Sequence, residues 1–176
     1  MCGIICVLSR ESSRATPTRE AILGLLTQAK DTLIHTVATN SLISAESAAA
    51  LLVGADDLLK GDPGMRALVG NRSLTDAISA VVHSLTPMVI AFEAGLEIHD
   101  DALLIEAASH VVSQMKDALW AIGVDRIRTA HDVEALAGSQ SSDPALGGYL
   151  TIQQALSAID RMEVRGRDSA GIGITV

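Results

Sequence analysis

The chain has 176 residues, 48% of them apolar and 19% charged, with a net charge of −8. This composition excludes a disordered or collagen-like chain, and a domain of this size buries roughly 70% of the surface its unfolded chain exposes. The acidic balance speaks against a nucleic-acid backbone or an anionic membrane as partner, because both need clustered Lys and Arg.

With one Phe, one Trp and one Tyr, no stacking platform for single-stranded nucleic acid is available. Continuous apolar runs stay at about 8 to 10 residues, short of the roughly 20 that cross a bilayer. The first residues lack the basic, long-apolar, small-residue order expected of a secretory signal. A cytoplasmic location is expected, with Cys2 and Cys6 reduced.

Residues 3–8, Gly-Ile-Ile-Cys-Val-Leu, form a short apolar run that predicts a strand buried on both faces. Then the period turns helical. Thr16-Pro17 predicts a helix start, followed by a stripe of Ile22, Leu25, Leu26, Ala29, Leu33 and Val37. Ser44 opens a second helix through Ala48, Leu51, Leu52, Ala55, Leu58 and Leu59, stopped by the breaker Gly61-Asp62-Pro63-Gly64.

Ser73 and Asp76 make a capping box ahead of Ile78, Val81, Val82 and Leu85, with Pro87 ending or kinking that helix. Asp100 or Asp101 caps a longer helix through Leu104, Ala108, Val112, Met115 and Leu119, which stops near Gly123; Thr129 to Ala137 is at most a short helix. Gly138 to Gly148 reads as a mobile linker. Thr151 and Gln154 then box the start of a helix with the stripe Ala155, Leu156, Ile159 and Met162. From Ser169 to Val176, Gly171 and Gly173 alternate with Ile172 and Ile174 and predict a second strand.

Position gives the sharpest chemical signal: Cys2 follows the initiator and precedes Gly3. Removal of Met1 places a thiol (pKa about 8.5) and an α-amine (about 7.7 to 8.0) on one carbon, so the amine can accept the thiol's proton without a histidine. If Met1 is retained, that base is absent. The second signal is Arg165-Gly166-Arg167-Asp168-Ser169-Ala170-Gly171, a helix end turning into a glycine-thinned strand.

Together, Met-Cys-Gly-Ile and Arg-Gly-x-Asp-Ser-Ala-Gly resemble the class II, N-terminal-nucleophile glutamine amidotransferases, and within them the branch that aminates fructose 6-phosphate. Phosphoribosyl-pyrophosphate amidotransferases are the alternative branch. Val164 and Arg167 stand where the family has tyrosines, and Cys6 where it has Gly.

The resemblance implies a mainly α chain in which a helical bundle interrupts a truncated αββα glutaminase domain. Residues 1–10 would be its first strand, 11–147 the helical insertion, and 148–176 its first helix and second strand. It implies glutamine hydrolysis with Cys2 as nucleophile, Arg165 and Gly166 near the substrate, and Asp168, Ser169 and Gly171 shaping the turn. A sugar phosphate would be engaged by a downstream domain, in a homo-oligomer without cofactor, and the fragment alone would be inactive. The competing expectation is a helical interaction or regulatory domain that mediates assembly.

Metal binding has little support. His35, His83, His99, His110 and His131 are scattered, Glu93, Glu97, His99, Asp100 and Asp101 cluster at a helix junction, and no Glu-x-x-His occurs. No phosphate-binding glycine loop is present either.

Overall fold

The structure is a computed structural model, and it describes residues 6–8, 12–96, 102–138, 142–163 and 173. The helices are α1 (Arg19–Thr39), α2 (Leu42–Leu59), α3 (Gly61–Leu68), α4 (Arg72–Leu96), α5 (Ala102–Trp120), α6 (Ile127–Ala137) and α7 (Asp143–Glu163). A π-helical turn, Ala121–Arg126, joins α5 to α6 without a break.

Side-chain caps set the helix starts. Thr18 accepts from the Ala21 amide at 3.2 Å and opens α1, Ser41 accepts from Ser44 and opens α2, and Asn71 accepts from Leu74 at 3.2 Å and opens α4. These positions differ from the expected Thr16, Ser44 and Ser73 by two or three residues. Each cap actually used has its oxygen over the first free amides, which spacing alone does not reveal. Asn40, in the left-handed region at φ 50°, ends α1.

Four helices form a bundle. The Arg19 Nη1 to Ser73 Oγ contact (3.3 Å) joins the starts of α1 and α4, and the Asn40 Nδ2 to Gly95 O bond (3.3 Å) joins their ends, so these two helices run parallel. The helices that follow them, α2 and α5, return in the opposite direction, and the ring of contacts runs α1–α2–α5–α4. The short α3 crosses the lower end between α2 and α4. The interior is filled by Ile22, Leu26, Leu33, Leu52, Leu59, Ile78, Leu85, Phe92, Met115 and Ile122, all at most 1% exposed. The π turn packs on α2 and α4, while α6 and α7 pair with each other and rest on α3.

Several expectations are corrected. Among the described residues there is no strand, so the αββα glutaminase fold is overturned, and with it the resemblance to the class II amidotransferases. That fold needs two packed sheets, and here the whole core is helix on helix; the mainly helical part of the expectation stands. Residues 6–8 have no regular structure: Cys6 is exposed and Leu8 is 91% exposed, so they are not a strand buried on both faces. Among the described residues no neighbouring ladder is present to satisfy their amides. The expected C-terminal strand lies outside the described residues apart from Gly173, which is irregular.

Other breakers are overridden. Gly61-Asp62-Pro63-Gly64 is the first turn of α3, where a proline costs no hydrogen bond. Pro87 lies inside α4, whose buried Leu85 and Val89 hold the helix on both sides of it. Gly123 sits in the π turn and does not end the helix. The expected linker is largely helix: α7 begins at Asp143 and includes Gly147 and Gly148, so Thr151 is interior and its hydroxyl donates back to the Gly147 carbonyl at 2.9 Å.

Helix α4 is also long and apolar enough to cross a membrane by length and composition, with a mean hydropathy of 1.5 in its best window. The run from Ala77 to Phe92 is interrupted only by hydroxyl-bearing residues, His83 and Pro87, and no formal charge breaks it. Its Leu74, Ile78, Leu85, Val89, Phe92 and Leu96 face the bundle core.

Candidate functional site

Cys2, Arg165, Gly166, Asp168, Ser169 and Gly171 all lie outside the described residues. Of the acidic cluster, Glu93 forms an ion pair with Lys116 (2.6 Å), and Glu97, His99, Asp100 and Asp101 lie outside the described residues. Among the described residues no three His, Cys, Asp or Glu side chains converge as a metal site.

What the structure does bring together is the lower end of the bundle, around the joint between α2 and α3. Arg14, ahead of α1, donates to the carbonyls of Asp57 (2.5 Å), Leu58 and Lys60, so a cation covers the last carbonyls of α2. One turn earlier lies Asp56, only 7% exposed. It accepts from Arg126 Nε at 3.0 Å and pairs with Lys60 at 2.9 Å. Arg126 also reaches Asp125 with Nη1 at 3.1 Å, and Asp125 in turn pairs with Arg128. The bonds of Lys60, first to Asp57 and then to Asp56, hold its ammonium above its ordinary value of 10.5.

A charged network thus ties α2 to the π turn at a place where burial makes an unpaired charge costly. The π helix is the rarest helical form and recurs at functional sites. Here it brings Arg126 against Asp56 while Gly123 lies close on Val82 of α4.

Beside this network opens a cleft of about 400 Å³ between the α2–α3 joint, the π turn with the start of α6, and α7. Leu59, Met65 and Leu150 supply its apolar wall; Arg126, Thr129, Gln153 and Gln154 supply polar groups. Gln153 is oriented by its amide nitrogen, which donates to Asp132 at 2.8 Å. A second, shallower depression is lined by Arg72, His131, Glu134 and Ala135.

Sequence reasoning gave Leu59, Gly61 and Gln154 only structural parts and passed over Asp56, Asp125 and Arg126. The one legible signal was Asp56, a carboxylate between Leu52 and Leu59 on the buried stripe of α2. Such a residue requires a partner, but the partner is 70 positions away and only the fold supplies it.

The outer half of α7 is different. Ile152, Leu156 and Ile159 recur at helical spacing, are half-buried, and do not join the hydrophobic core. Large apolar side chains that do face outward include Ile43 (77% exposed) and Trp120 (54% exposed).

No family model, curated protein or solved structure matches this chain.

Proposed function

We propose that the chain works as a helical interaction module, assembling with a second copy of itself through α7. The observation that carries this reading is the stripe Ile152, Leu156 and Ile159, which lies on a helix whose main contacts are with α6 and α3 and, among the described residues, is not taken into the core. Apolar groups placed at i, i+4 and i+7 are covered well by the same stripe of a two-fold-related helix, because a two-fold contact is self-complementary. A single helix pair buries less than the 1,200 to 2,000 Å² typical of stable complexes, so association on the micromolar scale is expected.

Sedimentation equilibrium of the full chain tests this. A dimer whose dissociation constant rises at least tenfold in the Leu156→Asp, Ile159→Asp variant, with helix content unchanged, supports the reading. A monomer at tens of micromolar, or a dimer indifferent to the substitutions, refutes it.

A second reading is favoured by the way the described helices close on themselves. Arg14, near the incoming end of the chain, and α7, near its outgoing end, both meet the Leu59–Gly61 joint. In this reading Cys2, freed by loss of Met1, cleaves the side-chain amide of glutamine. The α-amine takes the thiol proton, the thiolate adds to the amide carbon, ammonia leaves with that proton, and water splits the thioester to glutamate.

This chemistry needs a thiol and an amine on one carbon, whatever the surrounding fold. Intact-mass analysis after treatment with a glutamine-shaped chloroketone tests it: labelling of Cys2 in preference to the exposed Cys6 supports it, and retention of Met1 or equal labelling of both thiols ends it.

A further inference from the structure

The seam between α4 and α5 has features that assembly through α7 does not use. These helices run antiparallel, and their register is fixed twice: Lys116 pairs with Glu93 at 2.6 Å, and Gly123 lies close on Val82. One turn from that ion pair, toward the π turn, stand Trp120 on α5 and Ile90 on α4. Each shares the helix face of its charged neighbour, since residues three or four apart lie one above the other. Val124 of the π turn follows about one turn beyond Trp120. All three stay open to solvent, with exposures of 54% for Trp120, 54% for Ile90 and 46% for Val124. They come from three separate elements, and only the register gathers them along one line.

The charge around this line suits contact with a like surface. No Asp, Glu, Lys or Arg occurs in α4 from Ala77 to Phe92, and Ala80, Pro87, Ala91 and Ala94 are exposed there, so another helix can come close. At one end of the seam lies the Lys116–Glu93 pair, at the other the Arg128–Asp125 pair. Each end offers one cation and one carboxylate, so a two-fold copy finds both signs wherever the ends meet. A chain of net charge −8 repels its copies over most of its surface, which leaves a face of balanced charge as the place to join. Asp117 borders the middle of the seam with no ion pair among the described residues, and one carboxylate is too little charge to select a basic partner. From Asp76 to Glu93 the seam runs about 25 Å, and two packed helices are about 20 Å wide. That gives about 500 Å² a side and about 1,000 Å² for two copies, the lower limit for a specific contact, so a dissociation constant on the order of 100 µM is expected.

We infer that the α4–α5 seam is a second face at which copies of this chain meet, with Trp120, Ile90 and Val124 closing on the same residues of a two-fold-related copy. Trp120 lies near the middle of the seam, and a large aromatic side chain taken out of water there supplies much of the energy of a small contact. This face uses no residue of α7, so the inference goes beyond assembly through α7 and does not depend on it. With both faces in use, two self-complementary contacts on one chain lead to assemblies larger than a dimer.

The chain has one Trp, so tryptophan emission reports this seam. The test combines that emission with sedimentation equilibrium of the full chain carrying Leu156→Asp and Ile159→Asp, from about 1 µM to about 1 mM. Emission is expected to shift to the blue as a dimer forms, with one midpoint for both signals. Adding Ile90→Asp or Val124→Asp, each at an exposed position, should raise the dissociation constant about tenfold or more with helix content unchanged. Ile43→Asp, off the seam on α2, should leave it within about twofold. The inference is overturned if the α7 variant stays monomeric with constant emission, if neither Ile90→Asp nor Val124→Asp weakens the dimer, or if Ile43→Asp weakens it as much. A monomeric α7 variant leaves the α7 reading intact. Equal association of that variant and the native chain ends the α7 reading and supports the seam.

Discussion

Gly123 offers a direct test of how the π turn is seated. A Cβ at this position would stand 2.7 Å from Cγ1 of Val82 and 3.5 Å from its Cβ. Carbon atoms prefer about 3.5 to 4.0 Å, so Gly123→Ala requires a displacement of about 1 Å between the π turn and α4. Overpacking of this kind costs about 1 to 3 kcal/mol. Replacing Gly by Ala within a helix returns about 1 kcal/mol by restricting the unfolded chain. The single variant should therefore lose about 0 to 2 kcal/mol.

Val82 is half-buried against the core, and Val82→Ala should lose about 1 kcal/mol, roughly half the transfer value of its two methyl groups. In the double variant the contact is gone, so the alanine keeps its helical advantage and the protein should be at least as stable as Val82→Ala alone. The expected coupling is about 1 to 3 kcal/mol. Urea unfolding of the four proteins with an unchanged m-value reads it directly. Losses that add to within about 0.5 kcal/mol would mean that Gly123 and Val82 do not touch, and the placement of the π turn would be wrong.

Asp56→Ala should cost about 1 to 3 kcal/mol in the same assay, because it takes from the partly buried Arg126 one of its two carboxylate partners and leaves it Asp125 alone. Leu52→Ala, in the middle of the core with no exposed surface, should cost about 2 to 5 kcal/mol, while Ile43→Ala, at 77% exposure, should stay within about 0.5 kcal/mol; the reverse order would refute the core assignment. Gly64→Ala should lose about 3 kcal/mol or more, since its Cβ would fall 2.0 Å from the Leu59 carbonyl oxygen and backbone cannot turn aside as a side chain can. The pKa of Lys60 is raised in the folded protein, so its stabilisation is complete below the unfolded value of 10.5 and fades as pH rises through the folded one. The stability gap between the native protein and Lys60→Met should therefore be constant near neutrality and close only in strongly alkaline solution.

Much of the helical core was legible residue by residue. Ile22, Leu26, Ala29 and Leu33, then Ala48, Leu52, Ala55 and Leu59, then Ala108, Val112, Met115 and Leu119, all stand on the expected stripes and are buried. Edges of the stripes were less certain. Val37 remains 40% exposed while Thr36 is fully buried, its hydroxyl satisfied by the Thr32 carbonyl at 2.9 Å. A threonine can be taken inside when the helix itself provides the acceptor, which hydrophobic periodicity does not register. At the chain ends a six-residue apolar run read as a strand because short runs carry no length to separate strand from coil or helix. Its described part, residues 6–8, has no regular structure.

The sequence by itself determined that this is an acidic, aromatic-poor chain of amphipathic helices, because the three-and-four spacing of Ala, Leu, Ile and Val is a local property each segment carries alone. It did not determine where those helices stop. Pro87, Gly123 and Gly147-Gly148 all carry breaker signals worth about 1 to 3 kcal/mol, and packing on neighbouring elements exceeds them, so helices run through each. Only the tertiary structure could pair Asp56 with Arg126 or open a cleft between the α2–α3 joint and α7. Those arrangements depend on residues tens of positions apart, and no local spacing encodes them.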